Sequence, residues 1–270
     1  MPSYVITGAS RGIGFEFLRQ LSADPDSTVI GLVRDKESTE EKVQKELRRD
    51  NIHLIKADLK DHDSLKKAAE ETASITGGVL DYLIANAAYF STKAGWYTIG
   101  DLIESPGQYA QDLNESFQIN VVGNIQLFNA FIPLISKGEV RKVIALGSMS
   151  ADIDLTAKYD LSTTGPYSIS KAALNMAVAK YSAEFREKGI LFMSIAPGAT
   201  DTFSSTKLSD KEQKNMEIEI QKLMGYAPHF TGLASPESAV ALVRKVMENA
   251  SLENGDGGTW VSQFGNKQWQ

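Results

Sequence analysis

The sequence predicts a three-layer α/β fold, a doubly wound parallel sheet covered by helices on both faces. Three observations lead there. Short β-branched or apolar runs alternate with longer stretches of helical periodicity, the rhythm of repeated βαβ units. The chain has 270 residues, 42% of them hydrophobic, enough to bury one sizeable core, so a single domain over 1–270 is expected. The first apolar run leads into a glycine-rich turn and then an amphipathic helix, the context in which such a turn binds a dinucleotide.

Seven runs are predicted as strands: 4–6, 28–33, 53–55, 80–85, 142–146, 191–195 and 259–262. Five helices are predicted between them, at 12–22, 61–76, 108–135, 166–187 and 236–250. In the first, Ile13, Phe17 and Leu21 recur every four residues and form one apolar face. Asp61 and Ser235 are the capping residues that open the second and fifth. Segments 91–106 and 203–231 are longer than ordinary connections and follow the C-terminal ends of strands, where ligands bind in open α/β sheets. They are expected to be substrate loops.

Composition narrows the function. The net charge of −6 comes from 34 acidic and 28 basic residues spread along the chain, with no basic tract to neutralise a row of phosphates, so nucleic acid is not an expected partner. With no cysteine there is no disulfide framework, thiolate nucleophile or cysteine metal site. The three histidines, His53, His62 and His229, lack metal-ligand spacing, and no metal is expected. Apolar runs are short and broken by charge, so no membrane partner is expected. The first strand starts within a few residues of Met1, leaving no room for a secretory leader, and the expected location is cytoplasmic.

Each glycine of Thr7-Gly8-Ala9-Ser10-Arg11-Gly12-Ile13-Gly14 has a physical task. Gly8 permits the tight turn, Gly12 lets backbone amides approach a pyrophosphate, and Gly14 lets the helix pack close to the strand. The phosphates then sit at a positively polarised helix N-terminus. Arg34 ends the second strand where a reader of the ribose 2′-hydroxyl would be acidic. Its planar fork suits a 2′-phosphate, with Arg11 as a second cation, so NADP(H) is expected ahead of NAD(H).

Hydride reduction of a carbonyl needs a proton for the forming alkoxide, and a tyrosine beside a fixed cation is one source. Two tyrosines have a lysine four residues on, Tyr167 with Lys171 and Tyr89 with Lys93. Tyr167 opens a predicted amphipathic helix, whereas Tyr89 lies in a predicted loop. Tyr167 is therefore the expected acid, and Tyr89 a pocket wall. Phe90, Trp96, Tyr97, Met149, Phe203 and Met224 are further expected walls, pointing to an apolar or aromatic carbonyl compound.

The G-x-x-x-G-x-G spacing of the turn resembles the short-chain dehydrogenase/reductase family, and more motifs follow in the family's order over essentially residues 3–262. Asp58-Leu59 stands where family members hold the adenine. Asn86-Ala87-Ala88 replaces the usual Asn-Ala-Gly. Asn120 matches the asparagine that disturbs its helix and holds a water beside the lysine. Gly147-Ser148 matches the serine segment, with Ser150 as the alternative. Pro197-Gly198-Ala199-Thr200-Asp201-Thr202 matches the segment beside the nicotinamide, which Ile195 would also line.

The resemblance implies a Rossmann fold with strand order 3-2-1-4-5-6-7 and the reversible reduction of ketones or aldehydes. Gly8, Ser10, Arg11, Gly12, Ile13, Gly14, Arg34, Asp58, Leu59, Asn86, Ala87, Ala88, Pro197, Gly198, Thr200 and Thr202 would hold the cofactor. Ser148 would bind the carbonyl oxygen and Tyr167 deliver the proton. Lys171 would hold the ribose and lower the tyrosine pKa, and Asn120 would support a proton relay. Ser148 and Tyr167 are 19 residues apart, more than the family's usual separation, so 152–163 is expected to carry an extra turn. A homodimer or homotetramer is the family's common assembly. The alternative reading is a non-catalytic NADP-binding sensor or scaffold on the same fold.

Overall fold

The structure is a computed structural model and describes residues 1–91, 95–103, 105–201, 208–230 and 232–269. Its strands are β1 (Ser3–Thr7), β2 (Thr28–Val33), β3 (Ile52–Lys56), β4 (Tyr82–Ala85), β5 (Lys142–Leu146), β6 (Leu191–Ala196) and β7 (Trp260–Ser262). They form one parallel sheet in the predicted order β3-β2-β1-β4-β5-β6-β7. Val5 of β1 pairs with Ile30 on one side and Leu83 on the other.

Successive strand side chains point to opposite faces, so one short run feeds two cores. Val5, Leu83, Val143 and Phe192 enter one, Ile6, Ile84, Ile144 and Met193 the other. The first core is closed by α3 (His62–Thr76), α5 (Asn124–Ile135) and α7 (Gly165–Phe185). There Phe192 meets Phe128 edge-on at 5.8 Å and stacks with Tyr181 at 5.2 Å. The second is closed by α1 (Gly12–Leu21), α2 (Lys36–Glu46) and α9 (Pro236–Asn249), through Phe17, Leu18, Val43, Val240 and Met247. Each such large apolar side chain contributes about 1.5–3 kcal/mol on burial.

The predicted helix at 108–135 is one helical run with a fault in it. α4 (Pro106–Phe117) passes through a π-helical stretch, Gln118–Gly123, into α5. Among the described residues this run alone is long and apolar enough to cross a bilayer, and half of it is buried, with Leu127, Phe128 and Phe131 in the core.

Two helices, α2 and α8, go beyond the sequence expectation, and a third, α6, answers it. α2 is almost wholly polar, burying only Thr39 and Val43, so no apolar period announces it; Asp35 caps it by accepting from Ser38 N at 3.1 Å. α6 (Ile153–Tyr159) is the extra turn expected between Ser148 and Tyr167. α8 (Asp210–Tyr226) occupies much of 203–231, where a loop was expected, and opens on a capping box between Ser209 and Glu212. Trp269 joins α6 to α8. It stacks on Trp260 at 4.4 Å, its indole N–H donates to Asp152 at 2.8 Å, and its amide N–H donates to the Tyr226 hydroxyl at 2.8 Å.

Candidate active site

A cleft of about 1470 Å³ opens along the C-terminal ends of the strands. That exceeds the usual 300–1,000 Å³ of a single-ligand pocket and leaves room for a dinucleotide and a second molecule.

One half is built mostly from backbone. Gly8 and Gly12 have φ of +68° and +55°, the left-handed region that glycine enters without a steric cost. A Cβ on Gly14 would stand 2.2 Å from the Gly8 carbonyl oxygen and 2.6 Å from Asn86 Nδ2. Helix and turn therefore touch directly. The Thr7 hydroxyl accepts from the amides of Asn86 and Ala87 at 3.0 and 2.9 Å, and Asn86 Nδ2 donates to Thr7 O at 2.8 Å, which stitches the turn to the end of β4. Gly14→Ala is expected to cost about 1–3 kcal/mol by overpacking, read as a lower Tm with weakened dinucleotide binding. An unchanged Tm would mean that the turn yields freely.

Ser10, Arg11, Ile13, Arg34, Asp58, Leu59, Ala88, Pro197, Gly198 and Thr200 line the same cleft. Arg11 and Arg34 are exposed, and neither guanidinium has a hydrogen-bond or salt-bridge partner among the described residues. Asp35, the neighbouring acid, is engaged as the α2 cap. Lys42 of α2, which the sequence does not single out, braces the turn by donating to Ser10 O at 3.3 Å. At the far side, Gly198 has φ +78° and packs on Gln263. Thr202, Phe203 and Lys93 lie outside the described residues. Ile195 is fully buried in the core and does not line the cleft.

The other half contains the reactive side chains. Ser148 follows β5 and its Oγ lies 2.8 Å from Ser150 Oγ. Tyr167, in the first turn of α7, reaches the cleft beside it. Packing pushes the phenol up to about 12, with a hydrogen bond to Ser148 pulling the other way. Lys171 is buried behind Tyr167, its Nζ 5.6 Å from the ring centroid and donating to Leu146 O at 2.7 Å. Burial pulls this amine down to about 8. The resemblance implies a tyrosine lowered by Lys171; here burial of the phenol is the largest influence and holds it above its ordinary value.

Asn120 lies in the π-helical stretch and is fully buried. Its side chain accepts from Tyr89 N at 2.7 Å and donates to Tyr89 O at 3.0 Å and Ser170 Oγ at 2.9 Å. Helices widened in this way often mark functional sites. Asn120 and Lys171 thus stand behind the cleft, not on its surface. Asp112 of α4, also missed in the sequence, is buried and accepts from the Tyr89 and Ser91 hydroxyls at 3.3 and 2.9 Å, orienting the loop that carries Phe90. Phe90 meets Tyr167 edge-on at 5.3 Å.

Of the expected walls, Tyr89, Phe90, Trp96 and Met149 line the cleft. Tyr97 and Met224 do not. The Tyr97 ring lies 5.2 Å from Lys211 Nζ, and Met224 is on an exposed face of α8. Met216, Ile220 and Leu223 supply the α8 wall instead.

A parallel sheet in this order, with a glycine cradle at its first crossover and a serine, tyrosine and lysine gathered after β5, defines a Rossmann-fold oxidoreductase. The chain belongs to the short chain dehydrogenase family, which it matches over residues 3–213. It is 51% identical over the full length of both chains to the short chain dehydrogenase virK of Hypocrea virens. It is 45% identical, again over both full lengths, to the short-chain dehydrogenase/reductase iacC of Pestalotiopsis fici. Among solved structures, the NADPH-bound carbonyl reductase from chicken fatty liver superposes with a TM-score of 0.77 at 24% identity, covering 98% of each chain. The carbonyl reductase Sniffer of D. melanogaster superposes with a TM-score of 0.76 at 22% identity, with the same coverage.

Proposed function

We propose that this oxidoreductase is an NADPH-dependent reductase of ketones or aldehydes, with the reverse alcohol oxidation as its equilibrium partner. The observation that carries the reading is that Ser148 and Tyr167 line the cleft together, with Lys171 buried behind the tyrosine ring. The residues present fit the cofactor: a Cβ at Gly14 would fill the turn, and Arg11 and Arg34 stand at the cleft edge without a partner among the described residues. Gly8, Ser10, Gly12, Ile13 and Gly14 would hold the pyrophosphate, Arg34 and Arg11 the 2′-phosphate, and Asp58 with Leu59 the adenine. Asn86, Ala87 and Ala88 would lie along the riboses, and Pro197, Gly198, Thr200 and Thr202 against the nicotinamide. The carbonyl reductases with similar folds, one named as NADPH-bound, support the same choice.

When bound, NADPH supplies the hydride. The protein must hold the carbonyl, deliver a proton and offset the charge that remains. Ser148 donates to the carbonyl oxygen, held by its contact with Ser150. Tyr167 keeps its proton at neutral pH because packing holds the phenol up, and it gives that proton to the oxygen as negative charge develops there. Lys171, cationic below about pH 8, lowers the energy of the phenolate left behind. Asn120 keeps the widened helix and the Tyr89 backbone in register beside this group.

Loss of NADPH absorbance with a panel of ketones and aldehydes tests the reading. Saturable NADPH binding with no turnover of any of them would replace it with the non-catalytic one. For the cofactor, Arg34→Ala is expected to weaken NADPH by about 10–100-fold, the worth of a hydrogen bond to a charged group, with NADH changed far less. Equal losses for the two dinucleotides would overturn the preference.

A further inference from the structure

The end of the cleft remote from the glycine turn contains an unusual side chain. On α8, Met216, Glu219, Ile220 and Leu223 share a helical face that lines the cleft. Glu219 is only 7% exposed, and a carboxylate so placed among apolar neighbours needs hydrogen-bond partners. It has one among the described residues: Ser162 N donates to Oε2 at 3.3 Å, while Oε1 has none. Glu212, about two turns earlier on the same helical face, differs. Its Oε2 accepts from Ser209 N and Oγ at 3.1 and 2.9 Å and closes the capping box. Across from α8, beside Ser162, the Thr163 hydroxyl is buried and has no partner among the described residues.

We infer that Glu219 and Thr163 form a subsite for a hydroxyl group of the substrate, so that the preferred carbonyl compound carries a hydroxyl remote from the carbon that is reduced. The inference rests on Tyr167 marking the reacting end. A hydroxyl satisfies both groups at once, donating to Glu219 and accepting from Thr163; an ammonium has no acceptor to offer Thr163. A carboxylate or phosphate is disfavoured. The basic side chains among the described lining residues, Arg11, Arg34 and Lys60, all belong to the dinucleotide half. Five residues separate Ser162 from Tyr167, which places the subsite at most about 18 Å along the chain from the acid. A substrate of two or three fused rings lies well inside that bound.

The test uses the whole enzyme with NADPH and two ketone series, tetralone and fluorenone, each as the parent, a ring-hydroxylated derivative and its methyl ether. The hydroxylated member of at least one series is expected to exceed its methyl ether in kcat/KM by about tenfold or more, the effect of one hydrogen bond to a charged group. Glu219→Gln keeps the acceptor for Ser162 N and is expected to remove most of that preference. Turnover of the parent ketone and NADPH affinity are expected to stay within about twofold. Glu219→Leu, of similar size, is expected to abolish the preference. Equal handling of hydroxyl and methyl ether by the wild type would overturn the inference. So would a uniform loss across a series in Glu219→Gln, which would assign the residue to the tie with Ser162 alone. If NADPH binds and no ketone is reduced, the proposed reaction fails. The subsite is then decided by quenching of bound NADPH fluorescence, in which the hydroxylated ketones must still bind more tightly and lose that advantage in Glu219→Gln.

Discussion

Tyr167→Phe is expected to lower ketone reduction by ~10²–10⁴-fold, the range that a positioned general acid contributes, while NADPH binding and Tm stay close to wild type. The hydroxyl is lost but the ring survives, and with it the edge contact to Phe90 at 5.3 Å. The cradle that would hold the pyrophosphate lies at the β1 crossover and shares no hydrogen bond with Tyr167 among the described residues. Steady-state kinetics beside a fluorescence titration of NADPH separates the two effects. Activity within a few-fold of wild type would move the acid elsewhere, and Tyr89, the other tyrosine with a lysine four residues on, would be the next to test.

The second large effect concerns Lys171 and couples activity to stability. Its amine is pulled from 10.5 in an unfolded chain to about 8 in the folded protein by burial. Between those values the unfolded chain keeps a proton that the folded chain has released, so this residue makes stability rise with pH across the window. Below about pH 8 both forms are protonated and the folded state bears the full desolvation penalty, about 3 kcal/mol for a shift of this size. Lys171→Met removes the ionisation and keeps the length of the side chain. Denaturant unfolding from pH 7 to pH 10.5 is expected to show the wild type gaining about 3 kcal/mol relative to the variant. A difference that does not move with pH would mean that the amine is not penalised. Reduction by the variant is expected to fall by ~10²-fold or more, since the phenolate loses its nearest cation, and in the wild type it is expected to decline above about pH 8.

What the sequence discloses and what it hides follow from the range of the forces involved. The glycine turn is legible because its geometry is local: Gly8, Gly12 and Gly14 answer constraints within a few residues of themselves and at the end of β4. The parallel sheet is legible through the alternation of short apolar runs with helices, and its strand order through the family resemblance. Asp112 and the pull of Leu146 O on Lys171 are not legible, because they arise from elements brought together only by folding. α8 lies between these cases. Its apolar face is too sparse to register as a helix, so the sequence points to Tyr97 and Met224 as walls where the structure has Met216, Ile220 and Leu223. The Ser209-x-x-Glu212 capping signal stood in the sequence and marks the start of α8. Asn120 shows the opposite imbalance, with a position readable from a motif and bonds to Tyr89 and Ser170 that are not.

The two halves of the cleft are made of different material. The dinucleotide half is assembled largely from glycines and main-chain amides at the sheet's centre, where a Cβ at Gly14 would collide with the Gly8 carbonyl oxygen. In the other half, one wall beside the reactive side chains is presented by α8, which rests on α6 and is tied down through Tyr226 and Trp269. Preference among carbonyl compounds is thus free to drift by exchange of Met216, Ile220 and Leu223, while the cofactor and the folding core stay as they are. Directed evolution restricted to that helix should yield enzymes of altered selectivity that still fold, whereas the same mutational load on the glycine turn should mostly yield inactive protein.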